Sequence, residues 1–98
     1  MKLQMHSIHF DADQKLLEFI QKKVDKLEKF YDQMIDGEVF LKVNNSKIEN
    51  KTVEIKLNLP GDQIFAKEQA KTFEEGTDLA CEALRRQLRK KKPKQNAA

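Results

Sequence analysis

The chain is 98 residues long, 39% hydrophobic and 36% charged, with 19 Lys+Arg against 16 Asp+Glu and a net charge of +3. This fits one soluble domain with a thin core, and the lack of any run of about 18 apolar residues excludes a membrane-spanning helix. A single cysteine, Cys81, excludes an internal disulfide and fits a reducing cytosol, and residues 1–6 lack the apolar stretch of a secretory signal.

Leu3 and Met5 alternate with Lys2, Gln4 and His6, which predicts a short strand over residues 2–7. Asp11-Ala12-Asp13 then supplies carboxylates for a helix start, and Asp11 with Gln14 has capping-box spacing. Over residues 13–31, Leu16, Ile20, Val24, Leu27 and Tyr31 recur at helical spacing and predict one buried face. Asp36-Gly37 reads as a turn. In a second strand Val39, Leu41 and Val43 alternate with Glu38, Phe40 and Lys42, and the polar stretch 44–50 leads to a third. There Val53, Ile55, Leu57 and Leu59 face one way, and Thr52, Glu54, Lys56 and Asn58 face a solvated side.

Pro60-Gly61-Asp62 turns the chain into a fourth strand, about residues 63–70. Thr72-Phe73-Glu74-Glu75 has the form of a capping box and opens a second helix. Its inner face reads Phe73, Thr77, Ala80, Cys81, Leu84 and Leu88. Pro93 ends it, and residues 95–98 form a flexible tail. The order β-α-β-β-β-α, with no repeat or linker, predicts an α+β two-layer sandwich. Its four-stranded sheet carries both helices on one face, in a single domain over 1–94.

Charge is distributed unevenly. Residues 85–94 hold seven cations and no anion, and without them the chain has 12 basic against 16 acidic residues, about −4. An acidic body with one strongly positive end is suited to a polyanion, most commonly nucleic acid. Cations at a helix C-terminus also complement the macrodipole, but one or two would suffice for that. On a helical wheel Lys15, Lys22, Lys26 and Lys29 fall within about 60° of one another, with Lys23 at the edge of the apolar face. On the second helix Arg85, Arg89 and Lys92 share one flank, and Arg86 and Lys90 another. If the flanks of the two helices adjoin, they border a basic groove able to hold phosphates of structured RNA. Phe40 and Phe65, the candidate outward aromatics of the sheet, read as scattered packing or rim residues, so backbone-dominated binding is expected.

An enzyme reading finds little support. His6, His9, Asp11 and Asp13 are close in sequence, but the two histidines point to opposite faces of a continued strand and no third ligand has a strong spacing. Cys81 falls on a buried helix face, and Gly37, Gly61 and Gly76 are too isolated to form a phosphate loop. No cofactor or metal is implied. Two rivals remain: a generic structured-RNA-binding module using the same basic ridge, and a protein-interaction module whose basic end is only a soluble terminus.

The stretch Leu17-Glu18-Phe19-Ile20 through Lys23-Val24-Asp25-Lys26-Leu27-Glu28, then Leu41-Lys42-Val43, then Asp78-Leu79-Ala80 leading into Arg86-Gln87-Leu88-Arg89-Lys90-Lys91-Lys92, resembles a known family. It is that of the ribosome hibernation promoting factors and ribosome-associated inhibitors, also called protein Y or sigma-54 modulation proteins, and the resemblance spans residues 2–94. It implies the same β-α-β-β-β-α fold, itself similar to a double-stranded-RNA-binding domain. It also implies a cytoplasmic translation inhibitor that binds the small ribosomal subunit in the mRNA/tRNA channel and preserves idle ribosomes in stationary phase or stress. The positions matching the family's basic motifs are Lys23, Lys26, Arg86, Arg89, Lys90 and Lys92; the wheel adds Lys22, Lys29, Arg85 and Lys91 as rRNA-binding candidates. A monomer is expected when free. Longer members carry a C-terminal domain that pairs ribosomes, and pairing by that route is not expected of this chain.

Overall fold

The computed structural model describes residues 1–45 and 47–91. Six elements follow one another: β1 (Lys2–Ile8), α1 (Gln14–Phe30), β2 (Asp36–Val43), β3 (Lys51–Leu59), β4 (Asp62–Ala70) and α2 (Phe73–Lys91). Lys92, the stop at Pro93 and the tail at 95–98 lie outside the described residues. The strands lie in the order β1-β2-β3-β4, with β1 parallel to β2 and the other two pairs antiparallel. A parallel pair needs a crossover connection, and α1 is that crossover.

Alternation sets the core. Met5, Val39, Ile55 and Ala66 stand in one row across the sheet, and Leu3, Gly37, Leu57 and Ile64 in the next. These rows meet Leu16, Ile20, Val24 and Leu27 of α1 and Phe73, Ala80, Cys81, Leu84 and Leu88 of α2 in one apolar cluster. Both helices therefore cover the same face, and the other face is open. Tyr31 ends α1 half-buried, and Val43 lies past the core with 40% of its surface exposed.

The starts of the helices separate two capping candidates. Asp13, with extended backbone, accepts a hydrogen bond from the Leu16 N–H at 2.8 Å. Asp11 sits too far before the first helical residue, and Gln14 instead donates to Glu18 at 3.3 Å. The Thr72 hydroxyl accepts from the Glu75 N–H at 3.0 Å, as its capping-box position predicts.

Two further expectations are corrected. Asp36-Gly37 is not a turn but the start of β2. Gly37 is buried between neighbouring leucines, and a Cβ there would come within 2.7 Å of Leu57 Cδ2, 2.9 Å of Leu3 Cδ2 and 2.9 Å of the Lys56 carbonyl oxygen. The glycine is needed for close packing across strands. Thr52 belongs to the solvated row but is only 4% exposed, because Asn44 from the β2–β3 connection donates to its hydroxyl at 3.0 Å. The β3–β4 hairpin turns through Pro60 and Gly61, and Gly61 takes the left-handed φ of +73° that favours glycine.

Candidate nucleic-acid interface

The two helices run side by side in the same direction. Lys23 of α1 reaches Asp78 of α2 at 2.9 Å, and seven residues further along both helices the Arg85 guanidinium stacks over the Phe30 ring, 4.4 Å from its centroid. Both C-termini therefore lie at one end of the layer. Both negative dipole ends gather there too, which favours cations on the last turns. α2 is segregated by charge to match: Glu74, Glu75, Asp78 and Glu82 in its first half, Arg85, Arg86, Arg89, Lys90 and Lys91 in its second.

A groove of about 360 Å³ separates the helices, bordered by Lys23, Lys26 and Arg85 and floored by Leu27 and Cys81. Lys26 is exposed, and Lys22 and Lys29, also exposed, continue its row a turn to either side. Lys23 is half-buried, with its ammonium 5.4 Å from the Phe19 ring centroid as well as paired to Asp78. Arg89 lies one turn beyond Arg85, and Arg86 and Lys90 stand on the adjoining exposed strip. Lys91 turns the other way: its ammonium pairs with the Asp62 carboxylate at the start of β4, and that contact holds the Asp62 carboxyl below its ordinary range. Gln87, one turn earlier, donates to the Phe65 carbonyl at 2.8 Å, so the two residues tie this flank of α2 to β4.

Sequence reasoning missed the acids in the groove. Asp78 and Glu82 line it opposite Lys23 and Lys26, and the steps of four and three from Asp78 to Glu82 to Arg85 are the signal that placed all three on one flank. The cations are therefore concentrated towards the end formed by Lys22, Lys26, Lys29, Arg85, Arg86, Arg89 and Lys90. Elsewhere, His6 lies 3.2 Å from Glu38, Asp13 serves as a cap, and His9 takes a left-handed φ of 65° where β1 ends. Among the described residues no helix is long and apolar enough to cross a membrane.

Burial first, and the nearby Asp78 charge second, push the Cys81 thiol up to about 11. At pH 8 roughly one thiol in a thousand is then ionised. Native protein is expected to react with a chromogenic disulfide reagent at least about tenfold more slowly than the same protein in urea. Equal rates would show that the groove floor is open to solvent.

The sequence pattern of the Sigma 54 modulation protein / S30EA ribosomal protein family matches residues 3–96. The chain belongs to that family. It is 32% identical over 90 residues to the ribosome hibernation promotion factor of Deinococcus radiodurans, covering 89% of this chain and 47% of the relative, so it spans about half that protein's length. It is 28% identical over 97 residues to the ribosome hibernation promoting factor of Pseudomonas putida, covering 99% of this chain and 92% of the relative. Among solved structures, a ribosomal subunit interface protein from Coxiella burnetii superposes with a TM-score of 0.84 at 27% identity, covering 94% of this chain and 98% of that one. The N-terminal domain of Protein Y from Thermus thermophilus gives a TM-score of 0.80 at 19% identity over 92% and 98%, a likeness of fold. Membership in the family agrees with the resemblance read from the two basic segments, and the β-α-β-β-β-α order and mixed sheet agree with these structures.

Proposed function

We propose that this protein is a ribosome-associated hibernation factor. In this reading residues 1–94 form one monomeric, cytoplasmic binding domain, with 95–98 as a tail. It inhibits translation without catalysis or cofactor, lying in the mRNA/tRNA channel of the small subunit and preserving idle ribosomes in stationary phase or stress. Contacts to rRNA come from Lys22, Lys26, Lys29, Arg85, Arg86, Arg89, Lys90 and Lys92, and Lys23 and Lys91 join them on exchanging Asp78 and Asp62 for phosphate.

The observation that carries the reading is the meeting of two cationic helix ends in a chain of this family. The names of the Deinococcus and Pseudomonas relatives support it. Arginine forks at Arg85, Arg86 and Arg89 suit phosphate oxygens, and the lysines supply point charges around them. Such a surface reads backbone position and shape more than base identity.

The test is co-sedimentation of the purified chain with ribosomes through a sucrose gradient, with duplex RNA in excess. Retention on the small subunit and inhibition of translation in vitro are the expected results. Release by the duplex would leave a generic structured-RNA binder. Retention with undiminished translation would remove the inhibitory role.

A further inference from the structure

The sheet face opposite the helices carries a second ordered array. In register across the four strands, His6, Phe40, Glu54 and Lys67 form one row, and Gln4, Glu38, Lys56 and Phe65 the next. The His6 and Phe40 rings are stacked, with centroids 4.8 Å apart and planes 18° apart. The Lys56 ammonium lies 5.4 Å from the Phe40 centroid on the neighbouring strand. Phe65 stands directly across from Lys56 and is 43% exposed. The His6–Phe40 pair, Lys56 and Phe65 thus follow one another from β1 to β4, on a face that no described element covers.

The charges on this face point to one kind of occupant. Its carboxylates are engaged: Glu38 with His6 at 3.2 Å, Glu54 with Lys67 at 3.7 Å, and Asp36 as acceptor from Asn58 at 2.6 Å. Lys2, Lys42 and Lys56 form no ion pair within 4.0 Å among the described residues, although Asp36 stands across from Lys2 and Glu38 across from Lys56. Phe65 and the His6–Phe40 pair, set beside ammonium groups that form no ion pair, match unpaired bases joined by phosphates. A duplex hides the faces of its bases, and an apolar protein partner would require a contiguous apolar patch rather than two phenylalanines in a charged field.

We infer that the open sheet face is a second, separate RNA site that takes a short single strand. Bases stack on Phe65 and on the His6–Phe40 pair, while Lys42 and Lys56 hold the phosphates. Phe40 and Phe65 lie two strands and one row apart, about 12 Å, with Lys56 between them. This room suits a segment on the order of four nucleotides. The protein thereby holds structured RNA on its helices and a single strand on its sheet. The sheet site does not depend on the ribosome being the target of the helices.

The test is fluorescence anisotropy of the full chain with two labelled probes, an eight-nucleotide oligoadenylate and a duplex RNA. Phe65→Ala, at an exposed position, is expected to weaken oligoadenylate binding about tenfold and leave duplex binding unchanged. Arg86→Glu with Lys90→Glu is expected to do the reverse. Amide NMR shifts on adding oligoadenylate to the unaltered protein are expected at residues 38–42, 54–56 and 63–67, a readout independent of any variant's folding. Unchanged oligoadenylate affinity in Phe65→Ala, or shifts confined to the helices, would overturn the proposal and leave the face to another kind of partner.

Discussion

Arg86→Glu combined with Lys90→Glu is expected to reduce ribosome affinity at about 0.1 M salt by at least about a hundredfold while leaving the fold intact. Each reversal removes a phosphate attraction and substitutes a like-charge repulsion in an interface dominated by backbone phosphates. If each residue makes one phosphate contact, the slope of log affinity against log salt flattens by about 0.9 per residue on duplex RNA taken as similar to B-form DNA, and by about 0.7 on single strands. Both positions are exposed, and neither has an ion-pair partner among the described residues, so no internal contact is lost. Affinity and its salt dependence from co-sedimentation, with circular dichroism as the check on folding, decide the matter. Undiminished binding by a folded variant would take the end of α2 out of the mechanism. A variant that does not fold would instead place those side chains inside.

Leu84→Ala is expected to cost about 3–4 kcal/mol of folding free energy, within the range for truncating a buried leucine. Leu84 is fully buried at the centre of the face α2 turns to the sheet. The cavity cannot close by settling of the helix, because α2 already touches β3 two turns earlier. A Cβ on Gly76 would come within 2.9 Å of Val53 Cγ2, so the backbone there has reached its limit. A domain of this size has roughly 5–15 kcal/mol in total, and the loss lowers the melting temperature by about 10–20 °C. Thermal and urea unfolding followed by circular dichroism measure it. A loss below about 1 kcal/mol would mean that α2 is held chiefly by its polar ties, Gln87 to Phe65 and Lys91 to Asp62.

Local pattern was enough for much of this molecule. The alternation in β2 and β3, the helical spacing of Leu16, Ile20, Val24 and Leu27, and the inner face from Phe73 to Leu88 all follow from side chains that must share one apolar surface within one element. The cationic end of α2 was legible for the same reason, since its charges are consecutive in the chain. Neighbours brought from elsewhere decided the rest. Gly37 resembles a turn residue until Leu3 and Leu57, on the flanking strands, close over it. Phe40 looks like an isolated rim aromatic until the parallel register sets His6 against its ring, 34 positions away in sequence. The alignment of α1 with α2 placed Arg85 on Phe30 and brought Asp78 and Glu82 into the groove. Periodicity is a property of one segment and is written in its order of residues. Register and helix alignment depend on contacts between distant segments, and those exist only once the sheet and its two helices have packed.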